Sequence, residues 1–196
     1  MNYIELLITR FPELSESAKD IETAVDAVCR MHRDGGKLLL CGNGGSAADC
    51  EHISGELLKG FILRREHCDD VPALLQRGIC AVPLPSLSAS ISAFANDVEP
   101  SLVYAQLVYA MGRQGDVFMG LSTSGNSKNV VEAARVAKKL GLVTVGLTGA
   151  KGGLLADICD CVIRVPENET YRIQEYHLPV YHAICAEVEA RLFGNI

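Results

Sequence analysis

The feature that most constrains this chain is an alternation. Five short apolar runs, "KLLLCG", "ICAVPL", "DVFMGLST", "LVTVGLTG" and "CVIRV", are separated by stretches in which apolar residues recur at helical spacing. Runs this short and this uniformly apolar read as strands buried on both faces. Between them, 15–33 forms a helix on Ile21, Ala24, Val25, Ala27, Val28 and Met31 that closes at "DGG". Further helices are expected at 46–60, before Asn96, at about 100–113, from "SGNSKNVV" to Gly141 and over "GGLLADI", and a long closing one at 171–193. Residues 62–78, "ILRREHCDDVPALLQRG", are polar and irregular and read as a surface insertion. Strands alternating with helices imply an α/β, doubly wound three-layer sandwich: a five-stranded parallel sheet flanked by helices, with an extra N-terminal helix. The expected division is one domain over 1–196, with a helical arm at about 1–34 and a core from 35 to 196.

Composition bounds what such a fold does. A net charge of −6 with no Lys/Arg cluster leaves no electrostatic footprint for nucleic acid, although a small anion can still be held locally. No apolar run approaches a membrane span, and "MNYIELLITRFPEL" has no basic segment leading into an apolar core, so a cytoplasmic chain without membrane contact is expected. Eight cysteines (Cys29, Cys41, Cys50, Cys68, Cys80, Cys159, Cys161 and Cys185) stand among apolar neighbours with no C-x-x-C pair. They read as buried reduced thiols, with Cys159 and Cys161 on one face of a strand.

Parallel sheets bind ligands beyond the carboxyl ends of their strands, so the turns after strands carry the function. The first, "CGNGGSAA", formally fits G-x-G-x-x-A through Gly42, Gly44 and Ala47. A dinucleotide site also needs an acidic residue ending a second strand about twenty positions on. "RREHCDD" there has no strand character, so no nucleotide cofactor is expected. What survives is a glycine turn that aims backbone amides at an anion, with the hydroxyl of Ser46 beside it. The second turn, "STSGNS", places Ser122, Thr123, Ser124 and Ser127 around one helix start. One helix cap needs one such residue; four within six positions favour a pocket for a compact dianion.

"CGNGGSAAD", "EHISGEL", "STSGNS" and "RIQEYHLPVYH" together resemble the sugar isomerase (SIS) domain family, and within it the phosphoheptose isomerases. The resemblance runs from about 35 to 190. It implies the family's five-stranded fold, a homotetramer with active sites at subunit interfaces, and aldose–ketose isomerisation of a sugar phosphate, sedoheptulose 7-phosphate to D-glycero-D-manno-heptose 7-phosphate. It carries phosphate binding onto Ser122, Thr123, Ser124 and Ser127, with Asn43, Gly44 and Ser46 lining the sugar, and places Asn96 and Asp97 of "AFAND" at a family motif. It also implies a Zn2+ site on His52, Glu56, Gln174 and His182, with Glu56 and His182 as the acid/base pair and Glu56 and Gln174 near the substrate. The spacing agrees independently: His52 and Glu56 share a helix face at i, i+4, and Gln174 and His182 stand about two turns apart. A lone His/Glu pair on a helix is commonly a surface contact, but two matched pairs in two motifs are not easily coincidence.

The chain departs from the family at Thr170 and Tyr171, where an Ala-Asp pair is expected, and 62–78 is longer than the resemblance implies. His32, His67 and His177 receive no role, with His67 expected in solvent. The alternative reading is a non-catalytic SIS module that binds a phosphosugar for regulation or as an adaptor. Retention of both Glu56 and His182 separates the isomerase from it.

Overall fold

The computed structural model describes residues 2–66 and 70–194; the expectations for His67 and Cys68 lie outside them. Five strands, β1 (Leu38–Cys41), β2 (Ala81–Pro83), β3 (Val117–Leu121), β4 (Val143–Thr148) and β5 (Cys161–Arg164), pair in parallel in the order β2-β1-β3-β4-β5. Leu38 stands beside Ala81 on one side and Val117 on the other. That order places the topological switch between β1 and β3, where the crossovers leave to opposite faces and a crevice opens. The two turns singled out from the sequence follow these two strands.

The helices are α1 (Tyr3–Arg10), α2 (Ala18–Arg33), α3 (Gly45–Leu58), α4 (Ser88–Asp97), α5 (Val103–Met111), α6 (Lys128–Lys139), α7 (Gly153–Ile158) and α8 (Thr170–Phe193). Strand side chains alternate between two cores. Leu38, Leu40, Val117 and Met119 pack with α1, α2, α3 and α8; Leu39, Cys41 and Phe118 pack with α5, α6 and α7. The stripe Ile21, Ala24, Val25 and Val28 buries α2 as its spacing requires. The opening segment also holds α1, which the sequence reading left out: Asn2 caps it through the amides of Ile4 and Glu5, and only Ile4 and Leu7 are buried. Two apolar anchors in eight residues are a faint periodic signal.

Two expectations are corrected. Cys159 does not share a strand face with Cys161: it caps the end of α7 and packs in the second core, whereas Cys161 begins β5 in the first. Cys80 is exposed, while the other described cysteines are buried or partly buried, and all seven are free thiols. The described residues of the 62–78 segment are irregular, and Leu74 and Leu75 are exposed. Yet Arg65 within it has a fully buried side chain in an ion pair with Glu189 of α8 at 2.9 Å.

Candidate active site

The glycine turn between β1 and α3 follows from close approach. A side chain on Gly42 would meet the backbone of Ser46 at 2.7 Å, and Gly44 sits at φ +56° as the residue before α3. No side chain caps α3, nor does one cap α6, which opens behind the serine turn. Two helix starts without an N-cap side-chain bond thus lie at the switch point, where the helix dipole favours negative charge, although the Ser46 and Ala47 amides are bonded to the Asn43 and Gly44 carbonyls and the Val130 amide to Asn129 Oδ1. Asn43 and Asn129 tie the two loops together by reciprocal amide hydrogen bonds, each 2.9 Å.

The serine turn is internally braced. The hydroxyls of Ser122 and Ser127 bond at 2.9 Å, Ser124 Oγ accepts from the Asn126 amide at 3.1 Å, and the Thr123 carbonyl accepts from the Gly149 amide. Gly125 holds φ +68°, and its ideal Cβ would fall 1.8 Å from the Gly152 carbonyl oxygen. Ser46 is buried, its amide bonded to the Asn43 carbonyl. Asn96 and Asp97, at the exposed end of α4, bond to each other at 2.8 Å. No hydrogen bond joins them to the two loops or to the His/Glu residues.

Behind the glycine turn, α3 and α8 run side by side. His52 Nε2 lies 3.2 Å from Glu56 Oε1 and 3.3 Å from His182 Nε2, and one ligand atom from each of the three falls within 4.8 Å of the others. The spacing that put His52 and Glu56 on one helix face thus brings them to His182 from α8. Gln174 belongs to the other end of this helix pair: its Nε2 would stand 2.8 Å from a Cβ on Gly45, about two turns before His182. Burial first, and His52 second, hold the His182 pKa below the ordinary value, against the pull of Glu56. Lys59 Nζ reaches Glu56 Oε2 at 3.4 Å.

Three neighbours of this cluster escaped the sequence reading. Tyr181, almost fully buried, places its hydroxyl 2.9 Å from His52 Nδ1 and 3.3 Å from Asp49 Oδ1. Burial raises the Asp49 pKa, against the Tyr181 hydrogen bond and His52. Phe61 packs on the His182 ring at 5.6 Å between centroids. Of these, only Tyr181 carried a local signal, as a phenol beside His182. His177 is fully buried, neither ring nitrogen makes a well-formed hydrogen bond, and burial, opposed only in part by the Thr148 backbone, pushes its pKa down to about 4.

Convergence of two imidazole nitrogens and a carboxylate oxygen is a donor set suited to zinc. It is also a test of fit. A proton or a metal must lie between these atoms, and since a neutral imidazole can supply the proton, the donor set fits zinc without requiring it.

Fold and site together define a class: an α/β protein with two helix starts at the carboxyl edge of its parallel sheet and a cluster of two imidazoles and a carboxylate behind one of them. A family model described as the SIS domain matches residues 2–149, and the chain belongs to that family. The phosphoheptose isomerase of Crocosphaera subtropica is 43% identical over 175 residues, covering 89% of this chain and 84% of that protein. The solved structure of the phosphoheptose isomerase from Neisseria gonorrhoeae superposes with a TM-score of 0.76 at 32% identity, over 94% of this chain and 98% of that one. That from Francisella tularensis gives 0.79 at 29%, over 96% and 98%.

Proposed function

We propose that this chain is an aldose–ketose isomerase that interconverts sedoheptulose 7-phosphate and D-glycero-D-manno-heptose 7-phosphate. The observation that carries this reading is the meeting of Glu56 with His52 and His182 in a chain 43% identical to a phosphoheptose isomerase. A binding module would need the anion loops but not an acid/base pair; this chain keeps both.

In this reading the phosphate sits at the start of α6, held by Ser122, Thr123, Ser124 and Ser127. Asn43, Gly44 and Ser46 line the sugar, and Asn96 and Asp97 take its hydroxyls if α4 closes toward it. Glu56 removes a proton from C1 of the ketose while His182 supplies one to the C2 oxygen, giving an enediol. His182 then accepts the proton of the C1 hydroxyl and Glu56 returns its proton to C2, leaving the aldose, so both groups end as they began. Zinc would be held by His52, Glu56 and His182, with Gln174 completing the set only on leaving its contact with Gly45 at the other end of the helix pair, and when bound it would supply Lewis-acid polarisation of the substrate carbonyl. No nucleotide cofactor takes part.

The finer expectations belong here too. A homotetramer built of single SIS domains is supported by apolar surface: α4 buries none of its residues, and Leu6, Ile62 and Leu178 stand exposed around an apolar groove of about 460 Å3 that reaches His182. No described helix is long and apolar enough to cross a membrane, consistent with the proposed cytoplasmic enzyme. The test is turnover on a panel of ketose phosphates with light scattering on the same sample. Heptose turnover by a tetramer is expected; turnover of no ketose phosphate would overturn the assignment.

A further inference from the structure

The two turns at the switch point are braced to different degrees. The serine turn is held by α7: the Leu154 amide donates to Asn126 Oδ1 at 2.9 Å, and the Leu155 amide to the Gly125 carbonyl at 3.0 Å. The glycine turn is held at its base, where the buried hydroxyl of Tyr104 on α5 donates to the Gly42 carbonyl at 2.7 Å. Its tip, residues 43–45, has one side-chain hydrogen-bond partner elsewhere among the described residues. That partner is Asn129, in the first turn of α6.

Every donor and acceptor at this contact can be assigned. The Val130 amide, 3.0 Å from Asn129 Oδ1, can only donate, so it fixes which end of the Asn129 side chain is oxygen. Asn129 Nδ2 then donates to Asn43 Oδ1, and Asn43 Nδ2 donates back to Asn129 Oδ1, each at 2.9 Å. Exchanging the ends of both side chains would keep the reciprocal pair but set Nδ2 against the Val130 amide, two donors face to face. In the arrangement that remains, Asn129 Oδ1 accepts twice, which fills its lone pairs. One N–H of each side-chain amide is left without a partner among the described residues.

We propose that Asn129 is a positioning residue: by engaging both ends of the Asn43 amide it registers the tip of the glycine turn against the braced serine turn and leaves one Asn43 N–H to donate to an oxygen of the bound sugar. Asn129 stands outside the residues given to the substrate and acts through Asn43. The span between the phosphate end and the sugar end of the site is then set by a contact across the crevice. Holding a binding group in place before the ligand arrives raises affinity, because less ordering is left to do on binding. The inference rests on the proposed sugar-phosphate site, and on neither the isomerisation nor the cation.

The experiment is a double-mutant cycle on the full chain with Asn43→Ala, Asn129→Ala and the two together. Calorimetry reads affinity for sedoheptulose 7-phosphate and, separately, for inorganic phosphate; nitrogen-15 NMR of the ligand-free proteins reads the Asn43 side-chain amide. Asn129→Ala is expected to weaken the sugar phosphate about tenfold, within the range by which contacting residues couple. It should also bring the Asn43 amide protons to the positions of a solvent-exposed asparagine. In the Asn43→Ala background the same substitution should cost nothing further, and inorganic phosphate should show no coupling between the two positions. A merely structural loss at the start of α6 would instead weaken both ligands alike and persist at full size without Asn43. That result overturns the proposal, as does wild-type affinity in Asn129→Ala, or Asn43 amide protons already at solvent-exposed positions in the wild type. A wild type that binds the sugar phosphate without turning it over, with the coupling present, would count against the isomerase reading and leave the role of Asn129 standing.

Discussion

Substituting Glu189→Gln should be among the most damaging single changes in the molecule. Glu189 and Arg65 have side chains with 0% exposure and pair at 2.9 Å. The carboxylate also accepts from the amides of Phe61, Ile62 and Leu63 at 2.7–2.9 Å. The guanidinium donates to the carbonyls of Leu57 at 2.6 Å and Arg77 at 3.2 Å, so one buried pair closes the end of α3 and pins the strap behind it. Glutamine keeps the volume but strands a buried cation, a loss of about 3–5 kcal/mol. Since glutamine's oxygen still serves part of the amide cluster, the lower end applies. At 2–4 °C per kcal/mol for a chain of this size, the expected fall in Tm is roughly 6–12 °C. Replacing both partners, Arg65→Met with Glu189→Leu, should not restore stability, because three backbone amides are left without their acceptor at about 1–3 kcal/mol each when buried. Thermal unfolding followed by circular dichroism reads both. A fall below about 2 °C in Glu189→Gln, or recovery in the double variant, would refute the reasoning. Acid should act on the same pair. Burial pushes the Glu189 carboxyl up, but the amides and Arg65 more than offset it and hold it below the usual range. Its contribution is therefore present above the unfolded value of about 4.3 and disappears as pH falls through the lower folded value.

Three further expectations can be checked separately. Gly125→Ala puts a Cβ where the Gly152 carbonyl stands, at a φ of +68°; strain of about 1–3 kcal/mol or a shifted turn follows, and affinity for inorganic phosphate should drop roughly tenfold, measured by calorimetry. His177 is neutral in the fold, with its pKa held down to about 4 by burial. Its contribution is full above the unfolded value of about 6.5 and is lost toward pH 4, so urea unfolding should show roughly 3 kcal/mol less stability at pH 4 than at pH 7 from this group, a difference that His177→Leu abolishes. Chelation should lower turnover and zinc should restore it, while phosphate binding is unchanged; full activity in the chelated protein would remove the metal from the account.

Much of the fold was legible because its signals are local. "LLLC" and "VFMGL" are buried at every position, as continuous apolar runs in a doubly covered sheet must be. The glycine and serine turns were readable as helix-opening turns because helix starts need particular residues nearby in sequence. The His52 and Glu56 pairing followed from helical periodicity. What escaped depends on packing between distant segments. Arg65 looked like part of a solvated charged stretch, and its burial depends on a counter-charge, Glu189, that lies 124 residues on. Tyr181 gained its meaning from Asp49, 132 residues away on another helix. Cys159 was misplaced because two cysteines flanking one residue imitate strand alternation, whereas Cys159 caps α7, which ends at Ile158, and β5 begins only at Cys161. Gln174 was placed on the right helix, yet its amide packs against Gly45, a contact that helix phase alone does not set.

The central claim is that Glu56, brought against His52 and His182 behind an anion-binding turn, removes the proton in an isomerisation. The most direct measurement is turnover of sedoheptulose 7-phosphate by Glu56→Gln beside the wild type, with binding of the same sugar phosphate measured on both proteins. A general base contributes about 10^2–10^4-fold, so the account predicts a loss of kcat of at least that order with sugar-phosphate binding retained. A variant that turns over at the wild-type rate while binding normally would contradict it.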